Sequence, residues 1–326
     1  MGVSIFNQIL TGLSLVGLAA CAPTVEAVEE SSSIPDKKSA SHQISAETLA
    51  EWRKAVPSWY APVEPFRIIG DKKQGIYFIG TKGLAMYFIP TDEGHIVLDG
   101  GMPDQGNYVA DAIRKLGYDP KDIAILLNSH AHLDHSGGLE ELKKLSGAQM
   151  IASEGDRSAL EGGFYLGSEQ DTHLNAPPVP VDIAFSDDFS FEHGGVAMTA
   201  KVTPGHSRGC TSWTMNIEQD GKSHEILFFC SATVAANRLI GPPQYDGIVD
   251  DYRATFTIAK DWKPDIFLSN HPQFFGFSTK HQKLLAGDPL AFVDTEEFPK
   301  FIAKMAVDFE AGLAKQKLKY NAIMSK

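Results

Sequence analysis

The sequence predicts an α/β fold. Strand-like and helix-like segments alternate in both halves of the chain. Residues 123–127 form an unbroken apolar run of strand length, the pattern of a strand buried on both faces. Hydrophobic residues make up 43% and charged residues 21% of the chain, which excludes wholesale disorder and a fibrous repeat. Two sheets covered by helices, in four layers, fit this alternation without being compelled by it.

The elements follow in order. Residues 76–79, 84–89 and 96–98 are short apolar runs broken by Gly80, Gly83 and Gly94, a strand meander. Residues 107–116 carry Tyr108, Ile113 and Leu116 at helical spacing, and Gly117 suits the cap beyond them. After the buried strand at 123–127, a helix is expected over 136–145, then a short strand at 150–152 and a helix at 154–160. Residues 162–180, with Pro177, Pro178 and Pro180, read as irregular. Strands are expected near 182–185, 197–202, 211–217 and 226–229, and helices near 248–261 and 296–315.

The N-terminus reads differently. Residues 5–20 carry no charge and end in Leu18-Ala19-Ala20-Cys21, which reads as a secretory signal rather than a spanning helix. The end resembles a bacterial lipobox, with Cys21 as the lipidation candidate; cleavage after Ala22 fits the small residues equally. Met1-Gly2-Val3 lacks the Lys or Arg usual in a signal. Residues 22–45, rich in Ser, Glu, Lys and Ala, have linker composition. The expected division is a signal at 1–21, a linker at 22–45 and a catalytic domain at 46–326, in a protein exported to the periplasm.

The charge narrows the partners. With 29 Lys+Arg against 41 Asp+Glu, the net charge is −12, and no basic stripe is present. A phosphate backbone is held by clustered Lys and Arg, so no nucleic-acid partner is expected. Three cysteines are too few for a disulfide scaffold.

The strongest local signal is Asn128-Ser129-His130-Ala131-His132-Leu133-Asp134-His135-Ser136-Gly137-Gly138. It sets three imidazoles and a carboxylate straight after a buried strand. Imidazole nitrogen and carboxylate oxygen are ligands that zinc takes in catalytic sites. Alternate residues His130 and His132 can point one way, with Asp134 and His135 facing another, which suits two metals. Two single histidines have matching settings: His206 in Thr203-Pro204-Gly205-His206-Ser207, and His271 in Asn270-His271-Pro272, each after a strand-like run. His42, His95, His173, His193, His224 and His281 lack such a setting and read as structural.

H-x-H-x-D-H, a Pro-Gly-His and a late His together resemble the metallo-β-lactamase superfamily. With Glu64-Pro65-Phe66, Gly83-Leu84, Asp92-Glu93-Gly94-His95 and Asp99-Gly100-Gly101-Met102, the chain looks like a class B metallo-β-lactamase of the third subclass. The resemblance implies an αββα four-layer sandwich with two Zn(2+) at one edge. It implies His130, His132 and His206 as ligands of the first zinc, and Asp134, His135 and His271 as ligands of the second. Asp134 would also orient the nucleophile. Asp99 matches a superfamily aspartate near the site, either orienting a ligand or capping a turn.

Many non-lactamase relatives supply an aspartate bridging both metals at a strand end. Here that end reads Leu227-Phe228-Phe229-Cys230-Ser231-Ala232-Thr233, without a carboxylate; Glu225 and Asp246 are the nearest. Cys230 could suggest the first lactamase subclass, whose cysteine binds metal, but His135 takes that role in the third. The resemblance assigns Ser231 and Thr233 to the substrate carboxylate. It sets Asn237 at an oxyanion or carboxylate contact, although a loop Asn is as often a turn residue. Arg208 either adds charge there or lies on the surface. Phe164, Tyr165 and Leu166 read as an apolar flap over the substrate, or as packing beneath the loop. In such a fold Cys210 and Cys230 sit on neighbouring segments, as a disulfide or as two buried thiols.

The implied activity is zinc-dependent β-lactam hydrolysis by a periplasmic monomer, with carbapenems among the substrates and antibiotic resistance as the role. A lactonase or thioesterase on the same fold, or a non-catalytic zinc-binding envelope protein, are the alternatives.

Overall fold

The computed structural model describes residues 44–186 and 189–325. The signal segment, Cys21, His42 and nearly all of the linker lie outside the described residues.

The first helix, α1 (Ala46–Ala55), is capped by Ser45, whose hydroxyl accepts from the Thr48 amide at 3.1 Å. Seven strands then form one sheet in chain order: β1 (Phe66–Ile69), β2 (Ile76–Phe78), β3 (Tyr87–Ile89), β4 (His95–Leu98), β5 (Ile123–Leu127), β6 (Gln149–Ser153) and β7 (Ile183–Phe185). The first four pair antiparallel; β4 to β7 pair parallel. The parallel half is joined through helices α2 (Gly106–Lys115), α3 (Leu133–Ser136), α4 (Leu139–Ser146) and α5 (Glu154–Gly162). A second sheet follows, built from β8 (Phe189–His193), β9 (Val196–Val202), β10 (Thr211–Gln219), β11 (Lys222–Phe229) and β12 (Ile266–Ser269). It is antiparallel except for the β11–β12 pair. Helices α6 (Ile248–Ala259), α7 (Phe277–Leu285) and α8 (Glu297–Met324) complete the chain.

Strand parity shows the layering. In β5, Ile125 and Leu127 enter a core shared with Met198, Trp213 and Phe228 of the second sheet. Leu126 enters the core formed with Val109, Ile113 and Leu142 of the helices. The unbroken apolar run of β5 therefore reflects two buried faces. On the far side, Phe298 of α8 packs against Phe229 and Phe267 of the second sheet. The order helix, sheet, sheet, helix is the four-layer sandwich expected from the resemblance. Among the described residues no helix is long and apolar enough to cross a membrane.

Several elements depart from expectation. Strand β8 and helix α7 carry few apolar residues, so their patterning is faint: β8 alternates Phe189 and Phe191 with polar residues at a sheet edge, while β1, Phe-Arg-Ile-Ile, is too short to show a period. The helix expected over 136–145 is instead a short turn, α3, and a separate α4. The break falls at Gly137 and Gly138, where a Cβ would collide with the backbone of Pro103 and of Gly100. That close approach seats the turn after β4 directly against the histidine cluster. Helix α8 runs to Met324, beyond the expected 315, because no proline or glycine interrupts it after Gly312.

Candidate metal centre

The site lies where strands of both sheets end. The histidine cluster follows β5, Asp99 follows β4, His206 follows β9, Ser231 and Thr233 follow β11, and His271 follows β12. Strand ends in α/β sheets are where loops can converge without breaking the ladder.

The described structure brings all six sequence-predicted donors together. The Nε2 atoms of His130 and His206 are 3.0 Å apart, and one ring nitrogen each of His130, His132 and His206 falls within 4.8 Å of the others. Next to them, Asp134 Oδ2 is 3.0 Å from His135 Nε2 and 3.4 Å from His271 Nε2, and the two imidazole nitrogens are 3.2 Å apart. The His130 and His135 rings lie 4.5 Å apart, so the two trios adjoin. Three nitrogens in one trio, and two nitrogens with a carboxylate oxygen in the other, fit a pair of divalent metals of the zinc type.

Outer contacts aim these rings. His206 Nδ1 donates to the Thr233 carbonyl at 2.7 Å and His271 Nδ1 to the Gly83 carbonyl at 2.9 Å, leaving both Nε2 lone pairs turned inward. Asp99 Oδ2 stands 3.4 Å from His135 Nδ1 and accepts from the Ser129 hydroxyl at 2.7 Å. Asp99 Oδ1 accepts from the Ser129 amide at 2.7 Å and the Asn128 carboxamide at 3.0 Å. Asp99 thus both caps the turn after β5 and faces a ligand histidine. Its backbone, at φ 66°, holds a left-handed conformation that Asp tolerates better than most residues.

Burial and neighbouring imidazoles hold His130 and His132 well below the usual histidine range. Burial likewise lowers His206, to about 4. These rings are neutral at pH 7, as metal ligation requires. Burial opposes protonation of His135 too, but the Asp134 and Asp99 carboxylates outweigh it and push His135 up to about 10. Asp134, despite burial, is kept ionised by His135 and His271. A cation at this trio would take the place of that proton.

Ser231 and Thr233 line up beside the first trio, their hydroxyls 3.3 Å apart, with Thr233 Oγ1 3.3 Å from His206 Nδ1. Cys210 and Cys230 form a disulfide, and Cys230 Sγ lies 3.7 Å from His130 Nδ1. His130 with the two cysteines is therefore no metal site, because both sulfurs are bonded to each other. Glu225 and Asp246 are exposed, so neither supplies a carboxylate between the trios.

Two substrate assignments are corrected. Asn237 is 3% exposed, and its carboxamide is fully engaged with the His206 carbonyl, the Tyr252 hydroxyl and the Tyr165 hydroxyl. It has no donor left for a substrate. Tyr165 is 5% exposed, and its ring stacks on His132 at 4.2 Å. It is a wall of the centre rather than a flap. Phe164 is half-buried against the helix-side core, and Leu166 packs beneath the same loop. Arg208 lays its guanidinium over the Tyr245 ring at 5.2 Å.

Sequence reasoning missed Asp156. It is buried and joins two of the three histidine-bearing loops: Oδ2 accepts from the Ala131 amide at 2.9 Å and the Ser207 hydroxyl at 2.7 Å, and Oδ1 from the Gly209 amide at 2.8 Å. In the sequence it looks like an ordinary first-turn acid of α5. Trp59 was also missed; its ring lies 5.7 Å from His271, and it stacks on Trp52, which donates to the His173 carbonyl at 3.1 Å.

The model of the metallo-beta-lactamase superfamily matches residues 82–219. The chain is 45% identical to BJP-1, a subclass B3 metallo-beta-lactamase of Bradyrhizobium japonicum, covering 82% of this chain and 99% of that one with a TM-score of 0.78. It is 33% identical to the FEZ-1 metallo-beta-lactamase of Legionella gormanii, covering 79% and 98% with a TM-score of 0.74. A Cronobacter sakazakii metallo-beta-lactamase with a HARLDQ motif is 32% identical, covering 81% and 99% with a TM-score of 0.74. The six residues here read HAHLDH, with histidine in place of that motif's Arg and Gln. Among curated proteins, the probable metallo-hydrolase YqgX of Bacillus subtilis is 27% identical over 44% of this chain and 65% of its own length. The N-acyl homoserine lactonase AttM of Rhizobium johnstonii is 22% identical over 40% of this chain and 59% of its own length. The chain thus spans under two thirds of these curated relatives.

Proposed function

The chain belongs to the metallo-beta-lactamase superfamily, and from that premise we propose that it hydrolyses the β-lactam amide bond with two zinc ions per chain. That it is a metal-dependent hydrolase of the metallo-beta-lactamase type follows from the close metallo-beta-lactamase neighbours, among them BJP-1 of subclass B3. The observation that carries the lactam reading is the pairing of two complete donor trios with a hydroxyl pair beside the first and, among the described residues, no carboxylate besides Asp134 between them.

His130, His132 and His206 would hold one ion, and Asp134, His135 and His271 the other. Zinc held there would depress the pKa of a bound water toward neutrality and polarise a carbonyl, so that a hydroxide nucleophile is available near pH 7. The residues of the chain do the rest. Asp134, with Oδ2 turned to His135 and His271, would orient the nucleophile and accept a proton through its other carboxylate oxygen. Asp99 and the Thr233 and Gly83 carbonyls hold the imidazoles in the tautomer the chemistry needs. Ser231 and Thr233 donate hydrogen bonds to the substrate carboxylate.

On this reading the mature chain is an exported, periplasmic monomer, with Cys21 available for lipid and carbapenems among the substrates. The lactonase relatives support the alternative more weakly, at lower identity and over less of the chain. The deciding experiment assays purified protein on nitrocefin and meropenem, with zinc and then with a chelator, beside an acyl-homoserine lactone. Chelator-sensitive turnover of the lactams, lost in His132→Ala, supports the proposal. Turnover of the lactone alone by a zinc-loaded protein overturns it.

A further inference from the structure

We propose that Asn237, gripped from behind by Gln316 of α8, is a positioning residue for the first trio, setting the affinity of that trio for metal. The carboxamide of Asn237 reaches both sides of the trio. Its Nδ2 donates to the backbone carbonyl of His206 at 2.8 Å. Its Oδ1 accepts from Tyr165 at 2.8 Å, and the Tyr165 ring lies on His132 at an interplanar angle of 10°. Nδ2 also donates to the Tyr252 hydroxyl at 3.1 Å, and Tyr252 donates at 2.7 Å to the Thr233 carbonyl, the same carbonyl that accepts from His206 Nδ1. One buried side chain thus acts on the His206 backbone, the His206 ring and the face of His132.

The loop bearing Asn237 is itself held from a distance. Gln316 Nε2 donates to the Asn237 carbonyl at 3.0 Å, and Gln316 Oε1 accepts from the Leu239 amide at 2.8 Å. That closes a two-bond clasp between the loop and a helix 79 positions away in the chain. A carboxamide suits position 237 because it offers donors and an acceptor from one plane; a carboxylate of the same shape has no proton for the His206 carbonyl. Contacts that orient ligating residues typically change metal affinity by roughly 10- to 100-fold when removed. Asn237 can act in this way only if the centre holds metal, so the inference rests on the reading above.

The test measures zinc affinity by competition with a chromophoric chelator, and the visible spectrum of the cobalt-loaded protein, for wild type, N237A, N237D and Q316A. Melting temperature is recorded beside them, with M305A, a core truncation in α8 away from the centre, as the control for simple destabilisation. N237D and N237A are expected to bind zinc roughly tenfold more weakly with an altered cobalt spectrum. Q316A is expected to shift both in the same direction by less, and M305A to lower the melting temperature alone. If N237A does not fold, Q316A decides, since Gln316 is only half-buried. Wild-type affinity and spectrum in N237D and Q316A would overturn the inference while leaving the metal reading intact. A wild-type chain that takes up neither zinc nor cobalt overturns both.

Discussion

His130 and His206 turn bare nitrogens toward each other across 3.0 Å. The hydroxyl proton of Ser129 is committed to Asp99 at 2.7 Å, so Ser129 Oγ can only accept, at 3.1 Å, from His130 Nδ1. His206 Nδ1 is likewise committed to the Thr233 carbonyl. Both Nε2 atoms therefore present lone pairs, which repel unless a cation lies between them. Zinc at a hundredfold excess over its Kd is expected to stabilise the fold by about 2.7 kcal/mol, read as a rise in Tm by scanning calorimetry. His206→Ala should abolish most of that rise.

Ser231→Ala and Thr233→Val remove hydroxyls beside the first trio. On the lactam reading each raises KM for a carboxylate-bearing lactam by roughly tenfold with kcat little changed, since about 1 to 1.5 kcal/mol of uniform binding is lost. Steady-state kinetics on nitrocefin check this; an equal fall in kcat at constant KM contradicts the assignment.

Asp156→Ala leaves two amides and a hydroxyl unpaired between the histidine-bearing loops. The expected loss is about 3 kcal/mol or more, seen as a lower denaturant midpoint at unchanged slope. Zinc affinity should fall with it, because the two loops lose their common partner.

Tyr165→Ala empties a buried site against His132, so stability falls by about 3 kcal/mol together with activity. A mobile flap would instead have changed KM alone. Tyr165→Phe, which keeps the ring and loses the bond to Asn237, is expected to cost about 1 kcal/mol.

Asp182 gives the pH dependence a defined sign. Burial raises its pKa, but Lys143 and the Met150 amide, which donates at 2.6 Å, outweigh that and hold it below the ordinary 3.8. A depressed carboxylate stabilises the fold above its unfolded pKa, and that contribution is lost as pH falls through the folded value. Asp182→Asn should therefore lower stability at pH 7 by about 1 kcal/mol, discounted for solvent screening, and the gap should close in acid. A gap that widens below about pH 4 contradicts this linkage.

The strongest elements were legible because their signals are local. The run at 123–127 has the length and unbroken apolarity of a strand buried on both faces, and the six residues His130 to His135 sit within one strand end and one turn. Strand β8 and helix α7 were not legible, because an edge strand and a largely polar helix bury too little apolar surface to leave a pattern, and β1, although it buries Ile68 and Ile69, is only four residues long. The break in the helix after the cluster was hidden for another reason. Gly137 and Gly138 are required by the backbone of Pro103 and Gly100, a neighbour that spacing cannot reveal.

The sequence by itself determined the α/β class, the kind of donors and the three short segments that carry them, since ligand chemistry and local spacing belong to contiguous residues. Only the tertiary structure decided what surrounds those donors. His206 meets His130 across 76 positions, Asp156 meets Gly209 across 53, and Gln316 meets Asn237 across 79. The same packing buried Tyr165 and used up the carboxamide of Asn237, turning two residues that looked free to bind substrate into supports for the centre. Such roles depend on which loops the two sheets bring to one edge, and that arrangement is fixed by burial of the shared core rather than by any local run of residues.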